Sequence, residues 1–190
     1  MQERNQTVRW QADEKRWSAL MAASHLGDKV AYAQLLSELT DALTGYLHKQ
    51  FGQFELIEDC VQECLLAVHK ARHTYDPKRD FRPWFFTIAR HKTIDVLRQS
   101  SRHVGTASEV VLDPVDDVSA DGFNRLLDGA KMMLRLSADH REVLVMTKYL
   151  GLTTLEVSAS LGISESAVKA RLRRGLKRIQ EVWDAESIYP

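Results

Sequence analysis

The apolar positions of this chain recur almost everywhere at spacings of three and four, the period of a helix face packed on a core. Tyr32, Leu35, Leu36, Leu39, Leu43, Tyr46 and Leu47 give the longest such run, which Gly27-Asp28 precedes and Gly52 closes. A shorter helix, Lys15 to Leu26, is expected before it, with Trp17, Leu20 and Met21 on its apolar side. Met1 to Glu14 has little periodicity and reads as a disordered N-terminal arm. Between Glu55 and His73 the stripe Ile57, Val61, Cys64, Leu65, Val68 opposes a polar face of Asp59, Gln62, Glu63 and Lys70, with Leu66 in its midst. Tyr75 to Pro83 is a charged loop, and Pro83 suits the first turn of the next helix. That helix opens apolar nearly all round, Trp84-Phe85-Phe86-Thr87-Ile88-Ala89, and turns basic beyond Ala89. Two further amphipathic helices are expected, Phe123 to Leu136 and the one after Ser137. The second should be capped by Ser137, bury Val143, Leu144, Met146, Thr147 and Leu150, and end at Gly151. No strand pattern and no internal repeat stands out, so the fold class is all-α.

Residues 154 to 179 have a more specific pattern. A helix carrying Leu155, Val157 and Leu161 runs into Gly162, the residue best suited to a left-handed C-terminal cap. Ile163 follows as a buried plug, and Ser164 is a good N-cap for a second helix. That helix places Val168, Leu172, Gly175, Leu176 and Ile179 on one stripe. Its other side presents Ser166, Lys169, Ala170, Arg173, Arg174 and Lys177. Ser164 to Ile179 holds six Lys or Arg against Glu165 alone, about +5. A basic amphipathic helix after such a turn is the usual reader of a DNA major groove. A merely solvated basic helix explains the charge, but not the order of small residues, Gly, apolar plug and Ser cap.

Composition changes this picture only through its distribution. Lys plus Arg and Asp plus Glu number 26 each, for a net charge of zero. Yet His69 to His103 holds nine Lys or Arg against three Asp, whereas Val104 to Asp128 holds six acids against one Arg. Two basic segments thus flank an acidic one, which suits a nucleic-acid partner despite the neutral total. The acidic stretch Val104 to Gly122 contains Gly and Pro and reads as a flexible linker, with a reach of about 25 Å. The expected organisation is two small helical domains, 15–103 and 123–184, joined by the linker 104–122. No segment has the length and apolarity of a membrane span, and the N-terminus is polar rather than a signal sequence. Two cysteines make no disulfide framework, so a cytoplasmic location is the simplest expectation.

Candidate chemistry is sparse. Cys60 and Cys64 lie one helical turn apart, but a closed zinc site needs a second ligand pair, so no metal is expected. No carboxylate pair, nucleophile and base, or phosphate loop supports an enzyme, and no cofactor is expected. Leu66 is the odd residue: alone on a polar face, it suits a partner contact.

Two stretches carry a family resemblance. Asp59 to Arg102, DCVQECLLAVHKARHTYDPKRDFRPWFFTIARHKTIDVLRQSSR, resembles region 2 of the extracytoplasmic-function sigma factors of bacterial RNA polymerase. It has the D-x-V-Q-E helix, the charged loop, the P-W-x-F-x-I-A-R helix, and a basic run. The C-terminal half, LSADHREVLVMTKYLGLT to AVKARLRRGLKRI, is similar to region 4, and a linker in place of a third domain fits as well. The resemblance implies a sigma factor that binds core RNA polymerase and directs promoter-specific initiation. Asp59, Gln62, Glu63 and Leu66 would dock on the polymerase clamp. Asp76, Lys78, Arg79, Arg82, Arg90, Lys92 and Arg98 would capture the −10 element as the duplex opens. Ser166, Lys169, Ala170, Arg173 and Arg174 would read the −35 element, with Arg171 and Arg178 on phosphates. Trp84 and Phe85 suit base stacking, but core positions suit them better. An anti-sigma factor, often membrane-bound in this family, is a further implied partner. The chain departs from the family at Ser158, where Ala is frequent, and at Cys60 and Cys64. The competing reading is a stand-alone helix-turn-helix regulator with a dimerising or sensing N-terminal bundle.

Overall fold

A computed structural model describes residues 2–52, 55–103 and 132–187, and every regular element among them is helical. In order these are α1 (Gln2–His25), α2 (Lys29–Phe51), α3 (Ile57–Ala71), a 3-10 turn (Arg72–Thr74) and α4 (Phe81–His103). After them come α5 (Ala138–Leu144), prolonged by a π turn (Val145–Tyr149), then α6 (Thr154–Leu161) and α7 (Glu165–Ser187). The linker 104–122 and the expected helix up to residue 131 lie outside the described residues.

The chain divides into two compact units, Met1–Gly45 with Leu56–Val110, and Tyr46–Glu55 with Val111–Pro190. This differs from the limits read off the sequence, because the end of α2 falls with the second unit. The physical link is Arg141, a buried guanidinium that donates to the Gln50 carbonyl at 2.9 Å and to the Leu136 carbonyl at 3.0 Å. Gly52 also sits against Leu134.

In the first unit α3 packs along α4, and α1 also packs on α4. Trp17 meets Phe81 and Phe85 edge-on at 6.1 and 5.9 Å, and Tyr75 meets Phe81 at 5.2 Å. Such arrangements suit the ring quadrupoles. The helix α1 reaches back to Gln2, through the segment expected to be a loose arm. The Glu14 carboxylate accepts from the backbone N–H groups of Phe81 and Arg82, the latter at 2.9 Å. Those N–H groups open α4, have no partner inside the helix, and α4 supplies no acid of its own there. Asp13 pairs with Arg82 at 3.5 Å, and Arg16 with Glu38 at 2.6 Å. Charge and capping tie Asp13 and Glu14, at the end of this segment, to α4, and hydrophobic periodicity does not announce contacts of that kind.

In the second unit α5 and α6 both pack on α7. A Cβ added to Gly175 would lie 2.7 Å from Cδ1 of Leu144 and 3.4 Å from Cβ of His140, so glycine is what lets α5 approach. The buried line of α7 is therefore Val168, Gly175 and Val182. Leu176, expected inside, is 43% exposed, and Leu155 of α6 is 66% exposed. Ser137 stands at the N-cap of α5, but its hydroxyl makes no capping bond.

Candidate functional site

The α3 helix separates its faces as its sequence pattern requires. Ile57, Cys60, Val61, Cys64 and Val68 are buried, whereas Leu65, expected in the core stripe, is half-buried. Asp59 and Gln62 are exposed, Glu63 is half-buried, and Leu66 is 51% exposed. All four expected docking residues thus share one accessible face. The cysteines belong to the other side. Burial, reinforced by Cys64 and Asp59, pushes the Cys60 thiol up to about 11, and Cys64 donates from Sγ to the Ala89 carbonyl at 3.4 Å. No group of metal-ligating residues occurs among the described residues.

The loop and α4 place the expected −10 residues unevenly. Asp76, Lys78 and Arg79 are exposed. The Asp76 carboxylate accepts from the Lys78 backbone N–H at 2.9 Å, and the Tyr75 hydroxyl donates to the Arg79 carbonyl at 3.0 Å, which fixes the loop's shape. Arg98 is exposed and Arg90 half-buried. Lys92 is half-buried, with Nζ 2.7 Å from Glu63 Oε2. Its hydrogen bond and charge hold the Glu63 carboxyl below the usual range, and the same bond raises Lys92.

Arg82 departs from expectation. It is only 8% exposed, pairs with Asp13, and lies over Trp17 at 5.1 Å and Phe86 at 5.6 Å. A guanidinium between two rings and a carboxylate works as a structural cation, so Arg82 is not a DNA-facing group in this arrangement. Phe85 is fully buried, as expected of a core ring. Trp84 is half-buried and donates from Nε1 to Thr74 Oγ1 at 3.2 Å.

The helix-turn-helix forms where the sequence placed it. Gly162 takes φ 66°, the left-handed cap. Ser164 Oγ accepts from the Ala167 N–H at 3.2 Å. Ile163 is half-buried rather than a full plug. The Ser158 hydroxyl donates to the Ile163 carbonyl at 2.7 Å, so this departure from the family pattern ties the turn. A capping box unremarked in the sequence opens α6: Thr153 Oγ1 accepts from the Glu156 N–H at 3.2 Å, and Glu156 accepts from the Thr153 N–H at 2.7 Å. The Thr-x-x-Glu spacing was the available signal.

On α7, opposite the Val168, Gly175, Val182 line, lie Ser166, Lys169, Arg173 and Lys177, all exposed, with half-buried Ala170 among them. Lys169 pairs with Glu165 at 2.8 Å. On the flank Arg171 pairs with Asp139 at 2.7 Å, and Arg178 with Glu181 at 3.2 Å. Arg173 and Arg174 are exposed and form no ion pair among the described residues. Glu165 also accepts from Thr154 Oγ1 at 2.6 Å, a bond that links the starts of α6 and α7. Lys169 and Thr154 together hold its carboxyl low.

These two constructions, an α3–α4 pair with a charged loop and a helix-turn-helix with a basic second helix, match known families in the same order. The Sigma-70 region 2 family matches residues 35–103, and the Sigma-70 region 4 family matches residues 130–179. The ECF RNA polymerase sigma factor SigF of Caulobacter vibrioides is 36% identical over 170 residues, covering 88% of this chain and 94% of the relative. Among solved structures, CnrH in complex with the cytosolic domain of CnrY superposes with a TM-score of 0.65 at 27% identity, covering 90% of this chain and 98% of that one. The sigma factor RpoE in complex with the anti-sigma factor NepR, from Bartonella quintana, also has a TM-score of 0.65, at 26% identity, covering 80% of this chain and 96% of that one. Both regions being present disfavours the stand-alone regulator, which has no use for a region 2. No described helix is long and apolar enough to cross a membrane. With two regions in sequence and a relative matched along nearly its whole length, the chain belongs to the extracytoplasmic-function sigma factors, which give bacterial RNA polymerase its promoter specificity.

Proposed function

We propose that this sigma factor divides its work between residues 15–103, which dock on core polymerase and hold the −10 element, and residues 123–184, which read the −35 element. The single observation that carries the assignment is Leu66. It is half-exposed among Asp59, Gln62 and Glu63, on a helix whose other side is closed core. An apolar side chain there gains nothing in isolation and suits the centre of a docking patch with a polar rim.

Asp76, Lys78, Arg79, Arg90, Lys92 and Arg98 form the −10 surface, with Arg82 as its internal support. Holding an opened strand takes cations along its backbone. Arg173 and Arg174 read base edges from α7, assisted by Ser166, Lys169 and Ala170, while Arg171 and Arg178 touch phosphates. The chain catalyses no bond chemistry itself and works in the cytoplasm, where polymerase is. An anti-sigma factor is a further partner, since the relatives CnrH and RpoE are seen in complexes of that kind.

Transcription of genomic DNA by core polymerase, with and without the protein, tests the reading. New start sites sharing −35 and −10 sequences are expected only with the protein present. An unchanged set of starts overturns the proposal.

A further inference from the structure

We propose that the Glu63–Lys92 ion pair couples polymerase docking to DNA capture, with Glu63 masking Lys92 until the polymerase takes up the carboxylate. The inference rests on the assignment of the α3 face to polymerase and of α4 to the −10 strand. The pair joins the two: Nζ of Lys92 lies 2.7 Å from Oε2 of Glu63, between two helices packed side by side. Of the expected docking residues, Asp59, Gln62 and Leu66 make no side-chain bond among the described residues, so Glu63 alone is tied to the DNA surface.

Both partners remain reachable, with side chains 45% exposed for Glu63 and 30% for Lys92. The neighbouring charges are Asp95 on α4, which also attracts Lys92, and Lys70 on α3, which attracts Glu63. A phosphate approaching Lys92 therefore meets a nearly neutral pair flanked by a second acid. Exposed ion pairs are weak, and a competing charge exchanges them readily. A cationic polymerase surface set against Asp59 and Glu63 has the complementary sign. Once it holds Glu63, the Lys92 ammonium is left with its charge and donors free for the strand.

The test uses the full chain, free and assembled with core polymerase, and a labelled single strand of about twelve thymidines as the probe. In the free protein, Lys92→Gln should weaken binding less than it does in the holoenzyme. Glu63→Gln should raise affinity about threefold and steepen the dependence of log K on log salt by about 0.7, the signature of one more phosphate contact. Adding Lys92→Gln to Glu63→Gln should abolish both gains. In the holoenzyme Lys92→Gln should weaken binding whichever residue stands at 63. The proposal falls if Lys92→Gln weakens the free protein as much as the holoenzyme. It also falls if the gain from Glu63→Gln survives in the double variant, since the acid would then merely repel DNA. Competition for core polymerase by Glu63→Lys separates this from failure of the docking assignment. Unchanged competition removes that assignment and the coupling with it, whereas weakened competition beside an absent DNA effect removes the coupling alone.

Discussion

Arg173 and Arg174 differ from the other cations of α7 in pairing with no acid among the described residues. A guanidinium free to make a bidentate contact with guanine discriminates by about 1–3 kcal/mol. Arg174→Ala should therefore lose that much on a cognate −35 duplex and relax preference at one base pair. Arg178→Ala should weaken all duplexes alike and flatten the salt dependence. Titration against a set of singly substituted duplexes distinguishes the two, and equal losses on every duplex would make the helix a phosphate binder only. On α3, Leu66→Glu should weaken core binding while moving unfolding stability by no more than about 0.5 kcal/mol, as for other surface changes. Denaturant unfolding beside a core-binding assay checks it; a large loss of stability would mean that this face is core. The sequence made Leu66 conspicuous by its polar neighbours, yet held no sign that Arg82 would be buried away from the surface proposed for the −10 element. Its partners, Asp13, Trp17 and Phe86, include two from α1, far away in the chain. Pairing between distant elements is decided by packing, and spacing along one helix does not reveal it.

Among the elements, α7 shows how one residue sets how closely two helices pack. Its apolar stripe was legible, but how close α5 comes was not, and that depends on Gly175. Ala at this position favours the helix by up to about 1 kcal/mol in isolation. Against that, its Cβ would meet Leu144, itself buried, at 2.7 Å. Overpacking of this kind typically costs about 1–3 kcal/mol, so Gly175→Ala should destabilise the protein on balance. Chemical denaturation measures it, and a stabilised variant would show that Leu144 can turn away freely. The capping box at Thr153 and the Ser158 bond are local features, visible in principle as residue types at fixed offsets. The cap that Glu14 provides is not, because donor and acceptor are separated by more than sixty residues.

For the whole molecule, the all-helical class and the order of two regions were legible because both rest on long periodic segments and local turn chemistry. The division at the end of α2 was not, since Arg141 and Gln50 are brought together only by the fold. Reading a promoter through two surfaces on one chain raises effective concentration only where both sites are engaged together. Changing the −35 sequence of the template and replacing Arg173 and Arg174 by Ala should therefore be non-additive, because both remove the same contacts. Run-off transcription from the four combinations measures this; fully additive losses would place the −35 contacts elsewhere.

The Glu14 cap makes the surface proposed for the −10 element depend on a segment that supplies none of its residues. A polypeptide initiated or trimmed after Glu14 would retain every side chain proposed to touch polymerase or DNA. It would nevertheless begin α4 with two bare N–H groups and leave Arg82 without Asp13. Such a product is expected to occupy core polymerase and the −35 element while holding the opened strand poorly, and so to compete with the full-length factor rather than replace it.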